Sequence, residues 1–378
     1  MNPNYSYQFV DLMSEDVLAE IPLSQVRFSK LLNDSGTFSA TLTIDEVLRR
    51  KGIDVYDITT PVKRCLYILR DGFPMWGGLI WTRSYNSDSH NVQLAGADFW
   101  SYYDHRKILP LLPAAPIPFD AVAHLSSTSG LIDQSTLARA FITANNLHPG
   151  GDIGIQIETS LSGIMRERHF EGYELADTGD AMRNLANVID GPDIMFDVVL
   201  DINGVTRRIQ RVGDPQLGQQ GSPHVWEFGG NIQSYTWPSD GSRMATRVYA
   251  VGNGIEKGTP IAVAEETARY ALGWPLLESE RGYTTVSTNA VLQEHADSDQ
   301  LASRAPVVLP ALIVRGDLPP VLGTYAVGDD ALVIIEDEFH PNGIETLMRI
   351  VQMEISPGEE QGEQVKLIMA PLIDEVTF

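Results

Sequence analysis

Thr37-Phe38-Ser39-Ala40-Thr41-Leu42-Thr43-Ile44 alternates apolar and hydroxyl side chains over its whole length. A strand repeats every two residues, so Phe38, Ala40, Leu42 and Ile44 face a core while Thr37, Ser39, Thr41 and Thr43 face water or a neighbour. Working outward, two apolar strands are predicted at Lys63 to Leu69 and Met75 to Tyr85, joined by Arg70-Asp71-Gly72. Asp-Gly tolerates positive φ and so predicts a short hairpin. Val92 to Asp98 alternates again, with Val92, Leu94 and Gly96 on one side. Tyr7 and Phe9 begin an earlier strand, and Val26 and Phe28 the next one. Together these segments predict an antiparallel meander that closes toward a barrel.

Downstream the character changes. Pro110, Pro113, Pro116 and Pro118 crowd a short stretch that no helix or strand interior accommodates, which marks a domain transition. A short helical stretch is predicted at Phe119 to Leu125 and a better helix at Asp133 to Asn145, with Leu137, Phe141 and Ile142 on one face. Ile153, Ile155 and Ile157 alternate as a strand. In Asp180 to Ile189, Met182, Leu185, Ala186 and Ile189 keep helical spacing, and Gly191-Pro192 stops the run. Asn203-Gly204 predicts a hairpin between Ile194–Asp201 and Val205–Val212. Strands follow at Val225 to Thr236 and Arg243 to Val251, then a polar helix over 287–304 with Val291, Leu292, His295 and Leu301 inward. The end returns to strands: Val307 to Val314, Ala331 to Glu336, Arg349 to Ile355 and Val365 to Met369. In the last pair Val351, Met353 and Ile355 are expected to oppose Val365, Leu367 and Met369.

A chain of 378 residues is long enough for about two to four domains. The longest apolar runs are far too short to span a bilayer, and the start has no secretory pattern. Cys65, the single cysteine, falls mid-strand and reads as a small buried hydrophobe. There are 27 basic and 50 acidic residues, a net charge of −23. From Val251 onward, 7 basic residues face 21 acidic ones, 7 − 21 = −14. Binding to a phosphate backbone draws on Lys and Arg displacing counterions, so this balance argues against retention of nucleic acid. DNA passing without sticking is compatible with it.

Sites for chemistry are sparse. Ser126-Ser127-Thr128-Ser129-Gly130 is not a nucleophile elbow and reads as a polar turn. The eight histidines lack metal-ligand spacing; Asp104-His105 and Glu294-His295 are isolated pairs read as structural. Glu336-Asp337-Glu338 reads as a solvated loop. Asp193, Asp197 and Asp201 would lie about 13 Å apart on one strand face, too far for one metal. Gly252 to Gly258 reads as a turn rather than a phosphate loop. Trp76, Trp81, Trp100, Tyr102 and Tyr103, and later Trp226, Tyr235 and Trp237, form two aromatic clusters, read as core in preference to a carbohydrate platform. No catalytic, cofactor-binding or metal-ligating residue is put forward, and no cofactor is expected.

Phe28, the Asn33-Asp34-Ser35-Gly36 turn, Leu69 to Gly72, Trp76 to Ile80 and Leu94 to Trp100 resemble the start of phage tail-tip proteins. Ala245 to Gly252, Trp274 to Glu278 and Val327-Gly328-Asp329 fit the same pattern. The chain resembles minor tail proteins of actinobacterial siphophages, which are similar to contractile-tail baseplate hubs and the amino-terminal domain of tail-associated lysins. The resemblance implies a mainly β fold with α+β insertions: two antiparallel β-barrel-like hub domains and a mixed α/β middle. The expected segments are a first barrel domain at 1–108, an inserted mixed domain at 109–224 and strands returning to a barrel at 225–255. A helical segment at 256–305 and second-barrel strands at 306–378 complete them.

The same resemblance implies a trimeric ring in the virion, made in the host cytoplasm, that joins the sixfold tail tube and distal tail protein to a threefold tip or central fibre. Tape measure protein and DNA would pass through its lumen. The chain stops at Phe378 directly after its last strand, so a hydrolase extension is not expected and the protein is read as no enzyme. The alternative reading is a tail-tip protein that binds or degrades cell wall.

Overall fold

The computed structural model describes residues 3–113, 115–188, 190–213, 216–221, 223–283, 289–304, 306–358 and 362–372. Ile189, residues 287 and 288 and the side chain of Val291, all placed in helices by the sequence, lie outside the described residues. Two compact units emerge, residues 1–235 with 311–378, and residues 236–310.

The first unit is organised by one thirteen-stranded sheet. Its first seven strands are β1 (Tyr5–Asp11), β2 (Val17–Glu20), β3 (Ser24–Leu31), β4 (Thr37–Thr43), β5 (Arg64–Arg70), β6 (Phe73–Asn86) and β7 (Asn91–Asp98). They lie in the order β2-β1-β5-β6-β7-β4-β3. The expected alternation of β4 holds at six of its seven residues: Phe38, Ala40 and Leu42 are buried and Thr37, Ser39 and Thr43 are exposed, while Thr41 is buried between them. Asp71 and Gly72 both take positive φ, 51° and 84°, and make the two-residue turn between paired Arg70 and Phe73. At Gly96 of β7 an added Cβ would stand 2.0 Å from the Leu79 carbonyl oxygen, so only glycine lets β6 and β7 pair there.

From β3 the sheet continues without a break into the end of the chain. Ile344–Ser356 pairs with β3 through Gln352 to Ile355. It also pairs with Gln364–Pro371, and its first half with Asp330–Ile335. Ala311–Arg315 and Ile232–Thr236 extend the path, and His224–Glu227 runs parallel to Asp330–Ile335. The mainly β class expected from sequence is met. Barrel closure is not: the path ends at β2 and at Ile232–Thr236, and among the described residues no backbone ladder rejoins them. Side chains do reach across. Arg70 at the end of β5 donates to Glu363 at 2.8 and 3.0 Å, and the Tyr5 hydroxyl of β1 donates to the same carboxylate.

The middle of the chain packs on β1, β5 and β6. Helix Gln134–Asn146 starts where Asp133 accepts the backbone N–H groups of Ser135 and Thr136 at 2.9 and 3.2 Å. Its Leu137, Phe141 and Ile142 face Met182 and Leu185 of helix Thr178–Ala186 and Phe196 of strand Ile194–Leu200 in one core with Val10, Cys65, Leu79 and Trp100. Each such side chain contributes about 1.5–3 kcal/mol when removed from water. Strands Ile194–Leu200 and Thr206–Val212 form the expected hairpin, and Ile155–Ile157 joins it in parallel. Phe119 to Leu125, in contrast, is a series of turns and not a helix.

The second unit has a three-stranded sheet, Ile261–Glu265, Arg247–Val251 and Glu278–Gly282, with helix Asn289–Ser303 against one face. Ala250, Ala262, Ala264, Leu292 and Ala296 make its core. Small residues on the sheet allow the helix a close approach.

Candidate interface site

The residues singled out for possible chemistry are dispersed and already employed. Cys65 lies in β5, fully buried; its thiol donates weakly to the Val10 carbonyl at 3.5 Å, and burial pushes its pKa up to about 11. Ser126–Thr128 is a short strand paired with His169–Glu171, where the sequence suggested a turn. Asp104 is clamped by Arg183 at 2.7 and 3.0 Å, while the His105 ring packs 4.6 Å from Trp81. His295 stacks on Tyr283 at 4.1 Å. Among the described residues no group of three or more His, Cys, Asp or Glu is placed to hold a metal ion.

The aspartates at 193, 197 and 201 do three separate jobs. Asp193 binds Arg349 and accepts Leu217 N at 2.8 Å. Asp197 binds Lys30 at 2.9 Å and Arg211 at 3.4 Å. Asp201 accepts the N–H groups of Asn203 and Val205 and so fixes the hairpin turn, and these backbone hydrogen bonds hold its pKa below the usual carboxylate value. Asp337 likewise orders the turn after Asp330–Ile335 by accepting Phe339 N and His340 N. Trp76, Trp100, Tyr103 and Trp226 are buried and belong to the core, while Trp81, Tyr102, Tyr235 and Trp237 are half-buried.

What remains available is edge and surface. β2 closes one end of the large sheet with Val17 and Leu18 exposed. Ile232–Thr236 closes the other. In the second unit Ile261–Glu265 and Glu278–Gly282 are both outer strands, and Ile261 and Val263 are exposed on the face away from the helix. Unpaired N–H and C=O groups along such edges are templates for pairing with another chain.

One buried carboxylate couples this scaffold to pH. Asp98 ends β7 and accepts Gly36 N at 2.6 Å, Trp100 N at 2.9 Å and Ser35 Oγ at 3.0 Å. Burial outweighs these hydrogen bonds and pushes its pKa up to about 7. A carboxyl that is harder to ionise when folded supplies stability below its unfolded pKa and loses it as pH rises through the folded one. Stability is therefore expected to fall by a few kcal/mol at most between about pH 4 and pH 7. Denaturant midpoints of Asp98→Asn against the parent across that window check this; parallel curves would refute it.

No protein-family model matches the chain, and no curated protein matches it in sequence. Solved structures do match in fold. The tail protein from Neisseria meningitidis superposes with a TM-score of 0.61 at 11% identity, covering 97% of this chain and 96% of that one. The 43 kDa tail protein of prophage MuSo2 from Shewanella oneidensis gives 0.60 at 10% identity, with 98% and 97% covered. A prophage tail protein from Listeria monocytogenes gives 0.54 at 12% identity, with 96% and 94% covered. The chain thus has the fold of phage tail proteins over nearly its whole length, as the resemblance in its sequence implied.

Proposed function

We propose that this chain is a structural protein of a phage tail, built into the tip as a trimeric baseplate hub. The observation that carries the reading is the tail-protein fold, shared over nearly the full length of this chain and of its structural neighbours. In this reading the hub ring joins a sixfold tail tube and distal tail protein to a threefold tip or central fibre. Residues 1–108 and 306–378 supply its two β-rich halves, with 109–224 and 256–305 as insertions between strands. Open strand edges pair with neighbouring chains. The net charge of −23 lets tape measure protein and DNA pass a lumen without being held. The role is structural and not catalytic.

The test is imaging of tail tips from particles carrying a tagged copy of the chain. A threefold ring at the tip is expected, and in solution the isolated chain is expected to self-associate with rising concentration. A single peripheral copy per tip, with a sharp monomer at every concentration in light scattering, would overturn the hub reading.

A further inference from the structure

We propose that the groove between β1 and the start of β3 is a binding site for a neutral saccharide. The proposal stands independently of the hub reading. The groove encloses about 750 Å³, within the range of small-ligand sites, and is lined by Tyr5, Gln25, Arg27, Ser39, Thr41 and Gln93 among others.

Its floor is built at a conformational cost. Ser24 opposes Thr41 and Arg27 opposes Ser39, so β3 carries one extra residue and bulges at Gln25-Val26. Gln25 sits in the left-handed region at φ 53°, a conformation glycine holds without strain and a long side chain does not. The bulge turns the Gln25 amide over β4, where it lies 3.0 Å from the Thr41 hydroxyl; the Gln93 amide lies 3.1 Å from that same hydroxyl. Thr41 has one proton to donate and is itself buried, whereas both glutamines are exposed. Each amide has two N–H donors and two acceptor lone pairs, so after meeting Thr41 each keeps donors and acceptors for a ligand.

The walls narrow the ligand class. In a protein of net charge −23, the described residues lining this groove include no carboxylate, and Arg27 is their sole charged side chain. Among the described lining residues a cation finds no carboxylate, and a single exposed guanidinium is a weak anion site. Tyr5 also lines the groove, and its hydroxyl is bonded to buried Glu363. A tethered aromatic side chain beside amides and hydroxyls that both donate and accept matches a sugar, whose hydroxyls do the same above an apolar ring face.

The experiment is a titration of the full chain with chito-oligosaccharides and, separately, cello-oligosaccharides, followed by NMR or calorimetry. Saturable binding is expected, weakened about tenfold by Gln93→Ala, which removes one polar partner. Gln25→Gly keeps the bulge while deleting the amide; it is expected to raise Tm and to weaken binding by a similar factor. No saturable binding with either sugar series would overturn the proposal, as would binding that both variants leave unchanged. A lower Tm in Gln25→Gly would also overturn it, by showing that Gln25 serves the fold and not a ligand.

Discussion

Arg208→Ala is expected to destabilise the first unit by about 4 kcal/mol, the combined cost of two stranded carbonyls and a cavity. Arg208 is fully buried, and among the described residues no carboxylate is paired with it. Its charge is instead dispersed over neutral partners. Nε donates to the Tyr67 hydroxyl at 2.7 Å, and Nη1 donates to the carbonyls of Leu12 at 2.7 Å and Ile153 at 2.6 Å. Nη2 lies 3.3 Å from Cys65 Sγ, and the guanidinium stands 5.1 Å from the Phe99 ring centre. One side chain thereby ties strand Thr206–Val212 to β1, β5 and the segment before Ile155–Ile157. Alanine would leave two buried carbonyls without donors, at about 1–3 kcal/mol each, and open a cavity. Methionine fills the volume but donates nothing, so Arg208→Met should recover about half the loss.

The chain has two units, so hydrogen exchange, which reads each element separately, is the suitable readout. Amides of β1, β5 and Thr206–Val212 should lose protection together, while those of 236–310 keep theirs. The guanidinium stays charged at every usable pH, so the loss should be the same at pH 5 as at pH 8. A cost below about 1 kcal/mol would show that the surrounding carbonyls find water instead, and would remove Arg208 as an anchor.

Arg208 also marks where sequence reading reaches its limit. Hydropathy along Thr206 to Val212 favours turning Ile209 inward; the structure buries Arg208 and Gln210 and leaves Ile209 half covered. Distant partners make that register favourable, the carbonyls of Leu12 and Ile153 and the Tyr67 hydroxyl for Arg208 and the Ala138 carbonyl for Gln210, and no local pattern encodes them. Local chemistry was legible where it acts locally. Asp71-Gly72 and Asn203-Gly204 sit in their turns with positive φ at the glycines, and Asp133 caps its helix. The tail-protein fold was legible too, through short motifs around β3 to β7. Other features needed the third dimension. Val225 to Thr236 reads as one strand but is split by Gly229-Gly230 into His224–Glu227 and Ile232–Thr236. Met369 opposes Ile350, leaving Val351 as an extra residue whose carbonyl accepts Leu32 N at 3.0 Å. The groove residues Gln25 and Gln93 gave no sequence signal at all, since glutamine on a strand is ordinary and the strain at Gln25 is visible only in its φ.

Glu363→Ala is expected to cost about 3 kcal/mol, and it tests why an open sheet needs no closing ladder. The carboxylate is fully buried and takes three hydrogen bonds, two from Arg70 and one from Tyr5, residues at the far end of the chain. Gly316 leaves room for it: a Cβ there would stand 2.1 Å from Glu363 Oε2. Removing the carboxylate leaves a guanidinium that is only 13% exposed with Asp71, 3.6 Å away, as its ion partner, and frees the Tyr5 hydroxyl. The first and last strands would then be joined chiefly through the β3 pairing with Gln352 to Ile355. Glu363→Gln keeps the shape and loses the charge, so it should fall between parent and alanine. A double-mutant cycle with Arg70→Ala should give a coupling of about 1–3 kcal/mol. Hydrogen exchange should quicken first at β1 and at Gln364–Pro371, the two strands the latch connects. Independent, additive losses from Arg70→Ala and Glu363→Ala would mean that the seam is held by packing alone, and that the ion pair merely fills it.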